Sequence, residues 1–296
     1  MCEEMRLGRY RMIKPLGQGG EGCVWLAEDE SLSRMAAVKQ LWDKDEKRIR
    51  KEAVFLRDLR HPMLPLVYDL FYAQGQGLSF PMEDGWYLVM EYIDGISLHK
   101  YIETKGKMEE EQVFLWAEAI LDVLAYLHTR KTPVIYRDLK PDNIMVCRDG
   151  GLKLVDFGAA VFRSFGEGIN SEMVYTMGYA APEQLKVCGG GANADERSDI
   201  YAFGKILYFM ITGVDPGVPP YTTLPASLYN PLISEELERV ITRCTCEEPR
   251  ARYQVAKEVL ADLMAGSRRR GGRRRSFVRH VEKQVYLTTK EGVGLL

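Results

Sequence analysis

Tyr136-Arg137-Asp138-Leu139-Lys140-Pro141-Asp142-Asn143, followed by Leu152-Lys153-Leu154-Val155-Asp156-Phe157-Gly158, decides the reading of this chain. The first stretch reads as an irregular loop. On such a loop two groups five residues apart, Asp138 and Asn143, can converge on one centre without sharing a helix face. Ile144–Val146 and Leu152–Val155 flank Arg148-Asp149-Gly150-Gly151, residues that tolerate positive φ, and so form a hairpin signal. Asp-Phe-Gly alone is a common turn tripeptide. Here it follows a strand-like Leu-Lys-Leu-Val, thirteen residues after Asn143.

Outward from this centre the hydrophobic periods separate two regions. Glu109–Thr129 carries the stripe Val113, Ala117, Ile120, Leu124 and Leu127 of an amphipathic helix. Helical patterns return at Asp199–Thr212, Ser234–Cys244 and Gln254–Met264, with prolines between the first two. Upstream, residues 9–41 read as strands in which Val24, Leu26, Ala36 and Val38 alternate with polar or small neighbours around a turn at Glu28–Ser31. Lys44–Arg60 changes to a helical period, with Ile49, Ala53, Leu56 and Leu59 on one face. Strands follow near Leu66–Tyr72 and Trp86–Tyr92. The expectation is a small β-rich lobe, a short connector and a larger α-rich lobe.

Leu16-Gly17-Gln18-Gly19-Gly20-Glu21-Gly22-Cys23-Val24 holds a G-x-G-x-x-G pattern, which alone is weak. A dinucleotide-binding glycine loop opens a helix. This one opens the strand Cys-Val-Trp-Leu-Ala, which makes it a hairpin tip whose bare backbone amides can approach phosphate oxygens.

In this order and spacing the motifs resemble those of eukaryotic-type Ser/Thr protein kinases, most of all the bacterial members. The resemblance covers residues 9–265 and implies an α+β, two-lobed protein kinase fold. The N-lobe would span about residues 9–90, the hinge 91–95 and the C-lobe 96–265, after an N-terminal extension 1–8 and before a basic, flexible tail 266–296. It implies ATP and Mg²⁺ in a cleft between the lobes. Leu16, Gly17, Gln18, Gly19, Gly20, Gly22, Val24, Ala37 and Met145 would surround the nucleotide, and Met90, Glu91, Tyr92 and Ile93 its adenine edge. Ala36-Ala37-Val38-Lys39 matches the strand whose lysine holds the α- and β-phosphates, with Glu52 as that lysine's ion-pair partner. A surface pair of Glu52 with Arg48 or a nearby Lys is the simpler alternative. Asp138 would be the catalytic base and Lys140 would contact the γ-phosphate, while Asn143 and Asp156 would hold metal. Tyr136 replaces the usual histidine of this motif.

Thr176-Met177-Gly178-Tyr179-Ala180-Ala181-Pro182-Glu183 matches the end of a kinase activation segment. The resemblance implies Thr176 beside the base, Glu183 paired with Arg252, and Asp199 supporting the catalytic loop. Ser164, Ser171, Tyr175 and Thr176 are the available hydroxyls. Glu172 stands where relatives carry a phosphorylated residue, and either supplies negative charge to Arg137 or is a solvated loop acid.

The bulk properties agree with a globular protein: 296 residues, 46% hydrophobic and 28% charged, with no run of ~18 apolar residues. The run from Tyr201 to Val214 is broken by Lys205, and the charged start Met-Cys-Glu-Glu-Met-Arg is unlike a secretory signal. The scattered cysteines form no metal pattern and fit a reducing, cytoplasmic setting. The net charge of −2 is uneven. Residues 266–296 carry seven Arg and two Lys against two Glu, leaving 31 basic and 40 acidic residues elsewhere. This tail suits an anionic surface, an acidic partner or nonspecific phosphate contact, with no specific nucleic acid, and Ser276 within it resembles an autophosphorylation site. Protein Ser/Thr hydroxyls are the expected substrates. The competing readings are a non-catalytic scaffold of the same fold and a small-molecule kinase. Retention of Lys39, Asp138 and Asp156 counts against the first, and the Ala-Pro-Glu segment against the second.

Overall fold

The computed structural model describes residues 5–19, 22–42, 45–74, 84–162, 175–185 and 194–269. The chain divides into two compact units. The first comprises Met1–Gly95 with Cys147–Asp149 and Lys153–Gly158; the second comprises Ile96–Val146, Gly150–Leu152 and the chain from Ala159 onward.

The first unit is built on strands β1 (Arg6–Leu7), β2 (Tyr10–Gly19), β3 (Gly22–Asp29), β4 (Arg34–Leu41), β5 (Val67–Ala73) and β6 (Gly85–Glu91), with helix α1 (Glu46–Asp58) between β4 and β5. The sheet order is β1-β2-β3-β4-β6-β5, and every neighbouring pair is antiparallel. The neighbours of Val24, Leu26, Ala36 and Val38, expected to be polar or small, include Trp25, which is in the core. In the register Trp25 lies opposite Val38 and Ala27 opposite Ala36, and these four share the buried cluster with Tyr87 and Val89. Both faces of the sheet carry apolar residues, so alternation alone could not choose between them. Two boundaries also move. Leu7 is in the core, so the sheet begins before residue 9. Residues 147–149 and 153–158, which the sequence assigned to the C-lobe, group with the β-rich unit.

The second unit begins within β7 (Gly95–Ser97) and continues with α2 (Leu98–Lys105) and α3 (Glu110–His128). The short strands β8 (Val134–Ile135), β9 (Ile144–Cys147), β10 (Leu152–Leu154) and β11 (Val161–Phe162) follow; β9 and β10 are sheet neighbours, and β11 pairs antiparallel with β8. The remaining helices are α4 (Pro182–Leu185), α5 (Glu196–Thr212), α6 (Glu235–Cys244) and α7 (Ala256–Arg269). α3 buries the predicted stripe together with Trp116, Leu121 and Val123. α5 is buried nearly all round, from Ser198 to Thr212 except Tyr201. Its start is fixed by a capping box, Asp195 with Ser198, and its end by Gly213 in the left-handed region at φ 72°. The helix read as Gln254–Met264 runs on to Arg269, past the composition break at Gly266, because arginine is a good helix former. No helix among the described residues is long and apolar enough to cross a membrane.

Candidate active site

In the β-rich unit the register gathers a set of side chains on one face. Val24 lies opposite Lys39, Ala37 opposite Leu26 and Met90, and Lys39 opposite Leu88. Residues directly opposed across antiparallel strands point the same way, so Val24, Ala37, Lys39 and Met90 share a surface. The glycine hairpin covers the end of these strands. Gly19 pairs with Gly22, and Gly20 lies outside the described residues. A Cβ on Gly22 would come within 1.8 Å of the Gln40 carbonyl oxygen, so this glycine is required by backbone packing. A Cβ on Gly17 would meet no described atom within 4 Å. Leu16 and Gln18 beside it are exposed.

Lys39 Nζ donates to Asp156 Oδ1 at 2.8 Å. The lysine side chain is only 13% exposed, whereas that of Asp156 is 50% exposed. Asp156 sits at φ 63°, a left-handed conformation that costs a non-glycine residue energy and recurs at functional positions. The expected partner of Lys39, Glu52, lies on α1, but its side chain is outside the described ones. Beneath the pair, Ile49, Ala53, Leu64, Leu88 and Phe157 line a cavity of about 60 Å³. Glu91 points to the other face, where its carboxylate accepts from Leu66 N at 3.1 Å and Lys153 Nζ at 3.0 Å. Only its backbone is therefore available to a ligand on the Lys39 face. Tyr92 and Ile93 follow directly in non-strand backbone.

In the helical unit the loop 136–143 hangs from Asp199 on α5. The buried Asp199 carboxylate accepts from Tyr136 N at 2.9 Å and Arg137 N at 2.8 Å, and His128 Nε2 lies 2.8 Å from it. These bonds hold Arg137 at φ 70°. Gln184 Nε2 donates to the Arg137 carbonyl at 3.0 Å and fixes the other side. The Arg137 guanidinium is buried, which pulls its pKa down, against an opposing pull from Asp199.

Asp138 projects from this held loop. Its Oδ1 accepts from the Thr176 hydroxyl at 2.7 Å, and its Oδ2 lies 2.7 Å from Lys140 Nζ. Lys140 Nζ also donates to Thr176 Oγ1 at 3.0 Å, closing a triangle of acid, ammonium and hydroxyl. Asn143 Nδ2 donates to the Asp138 carbonyl at 2.9 Å and to Oδ2 at 3.2 Å, so its amide nitrogen is committed to Asp138. Met145, on β9, is half-buried and alternates with the buried Ile144 and Val146.

The segment behind Thr176 is tied down by groups that sequence reading partly missed. Glu183 and Arg252 form the expected pair, but Ser198 Oγ also donates to Glu183 Oε1 at 2.8 Å. The Tyr179 hydroxyl donates to Asp215 Oδ1 at 2.7 Å, and burial followed by this bond pushes the phenol pKa far up. Gly178, at φ 83°, allows Pro216 to approach: a Cβ there would lie 2.0 Å from its carbonyl oxygen. His128, Gln184, Lys153, Ser198 and Asp215 were not singled out from the sequence, because nothing in local spacing marks a partner many residues away. Ser164, Ser171 and Glu172 lie outside the described residues, as does the tail from residue 270.

In the β-rich unit a lysine meets a carboxylate, and in the helical unit a carboxylate, an ammonium and a hydroxyl meet on a loop held still by hydrogen bonds. A protein-family model described as protein kinase domain matches residues 10–264, and the chain belongs to that family. Among curated proteins it is 32% identical over 274 residues to the serine/threonine-protein kinase PrkC of Bacillus subtilis, covering 86% of this chain and 40% of that protein. It is 33% identical over 279 residues to the serine/threonine-protein kinase PknB of Mycobacterium tuberculosis (86% and 42%). It is 33% identical over 288 residues to the probable serine/threonine-protein kinase SCO3848 of Streptomyces coelicolor (90% and 41%). The chain thus spans about two fifths of the length of these relatives.

Proposed function

We propose that this chain transfers the γ-phosphate of ATP to serine and threonine hydroxyls of proteins. The observation that carries the reading is the contact of a hydroxyl with the candidate base: Thr176 Oγ1 donates to Asp138 at 2.7 Å, and Lys140 stands against both. A substrate hydroxyl presented to Asp138 in the same way would have its proton accepted as it attacks phosphorus. Lys140 would carry positive charge to the transferring phosphate.

The face bearing Val24, Ala37, Lys39 and Met90 supplies an apolar platform ending in an ammonium, suited to a purine joined to phosphates. Leu16, Gly17, Gln18, Gly19, Gly20 and Gly22 are assigned to the phosphates, the backbone of Glu91, Tyr92 and Ile93 to the adenine edge, and Met145 to the purine. Open space around Gly17 supports close approach of an outside group to backbone there. Glu52 is assigned as the further acid for Lys39.

Asp156 and Asn143 are assigned to Mg²⁺. Asp156 offers a half-exposed carboxylate and Asn143, its nitrogen already used, an amide oxygen; both are hard oxygen donors. When bound, Mg²⁺ neutralises charge on the phosphates. Cys23, Cys147, Cys244 and Cys246 are free thiols, which suits the cytoplasm. The kinase domain is assigned to residues 9–265 with its core reaching back to Leu7, and the basic tail to anionic surfaces or acidic partners.

The test is radiolabelled ATP with the purified chain and a generic basic protein. Label on serine and threonine that disappears in Asp138→Asn establishes the activity; no label defines a scaffold. Mass spectrometry of the same reaction reports on self-modification, for which Ser276, in Arg273-Arg274-Arg275-Ser276-Phe277, is the expected tail site. An unmodified Ser276 in active enzyme removes that assignment.

A further inference from the structure

Lys205 lies in the middle of α5 and is only 5% exposed. Its ammonium has one hydrogen-bond partner among the described residues, the Thr223 hydroxyl, with Nζ donating to Oγ1 at 3.1 Å. The Tyr201 ring stands 5.3 Å away, and no described carboxylate lies within ion-pair distance of Nζ. An ammonium has three donors, and a buried charge is ordinarily matched by an opposite one. Burial alone depresses this lysine's pKa to about 8. The charge is held, yet nothing described neutralises it.

Thr223 is half-buried on the segment between α5 and α6, flanked by exposed Thr222 and Leu224. Two residues earlier Tyr221 sits at φ 62°, outside ordinary helical and extended backbone. Beyond it, Ala226 N and Ser227 N are anchored on Glu238 at 2.8 and 2.7 Å. The hydroxyl at Thr223 is thus the point where this segment reaches the buried cation.

We propose that Thr223 is a phosphorylation site of this chain, its phosphate received by Lys205 as counter-cation. A phosphate there brings a charge of about −1.5 to −2 and three acceptor oxygens to an ammonium now opposed by one neutral hydroxyl. The new pair is a charge-assisted hydrogen bond in a desolvated setting, and it ties the 214–225 segment to α5. In the reaction, Thr223 Oγ1 of one copy attacks the γ-phosphorus of ATP held by another. The bond from phosphorus to the β,γ-bridging oxygen breaks, ADP leaves, and the hydroxyl proton passes to Asp138 of the acting copy. Supply of the phosphate rests on the activity proposed above; the pairing with Lys205 does not.

The experiment has two arms. In the first, the full chain is incubated with ATP, Mg²⁺ and a generic basic protein, and phosphopeptides are mapped, with Asp138→Asn as control. Phosphate on Thr223 is expected alongside label on the basic protein. Label on the basic protein with Thr223 unmodified overturns the inference and leaves the kinase reading standing; no label anywhere overturns both. In the second arm, phosphothreonine is installed at position 223 during synthesis, independently of the chain's own activity. Tm is expected to rise by about 4 °C or more with Lys205 present. It is expected not to rise in Lys205→Met, a substitution of similar length that removes the charge. Lys205→Gln serves as a second variant should the methionine form misfold. Equal shifts with and without the lysine overturn the pairing.

Discussion

Arg252 grips Glu183 through two parallel hydrogen bonds, Nη1 to Oε1 at 2.7 Å and Nη2 to Oε2 at 2.8 Å, although the two residues stand 69 positions apart. The guanidinium is wholly buried and spends its other donors on the carbonyls of Cys246, Arg197 and Glu247. The segment behind Thr176 is thereby fastened to the turn before α7. A buried pair of this kind is costly to break from one side, because the remaining charge is left without a partner.

Arg252→Ala is therefore expected to lose about 3–5 kcal/mol of stability, read as a shift of the denaturant midpoint. The pH dependence follows from Glu183. Burial pushes its carboxyl up, but hydrogen bonds from Arg252, its own backbone and Ser198 outweigh this and hold it below the ordinary 4.5. A depressed carboxyl contributes stability above its unfolded pKa and loses it as pH falls through the folded one. The stability gap between wild type and Glu183→Gln should be full above pH 5 and shrink steadily below pH 4.5. A gap that stays constant with pH would remove Glu183 as its source.

Lys39→Met, Asp138→Asn and Asp156→Asn should each reduce phosphoryl transfer by ~10²–10⁴-fold with melting close to wild type. The motivation is geometric: Lys39 and Asp156 meet at 2.8 Å, and Asp138 accepts from a hydroxyl. Turnover and thermal melting are measured on the same samples. A variant that keeps most of its activity does not belong to the chemistry.

Asp199→Asn keeps the shape of the side chain but turns one acceptor oxygen into a donor. Tyr136 N and Arg137 N each use a different oxygen, so one backbone N–H would face an N–H donor. The expected loss is about 1–3 kcal/mol, with a fall in turnover because Arg137 is no longer held at its positive φ. Lower stability with unchanged turnover in the folded fraction would restrict Asp199 to a scaffold role.

Lys205 should give a pH signature of the opposite sense. Its folded pKa, about 8, lies below the ordinary 10.5, so between those values the unfolded chain holds the proton and the folded chain does not. Stability rises with pH across that window. Unmodified wild type should gain on Lys205→Met as pH is raised from 8 to 10, a comparison in which other titrating groups cancel. A difference that is flat over that range would show the ammonium to be solvated.

Most of the strands and helices, the glycine hairpin, the irregular loop at 136–143 and the Asp-Phe-Gly turn were legible in the sequence, because each depends on neighbours within a few residues. Periodicity of 2 or 3.6 and short motif spacing are local properties, and they carried the fold class. Tertiary structure decided the rest. Which face of a two-sided sheet bears Lys39 depends on register, and alternation could not choose because both faces are apolar. That Glu91 turns away from Lys39 toward Lys153 depends on a contact 62 residues along the chain. Lys205 is the sharpest case. In sequence it merely interrupts an apolar run, as a solvated lysine would; only the packing of α5 on all sides makes it a buried charge in search of a partner. Burial is a property of everything that surrounds a residue, and no window of sequence contains it.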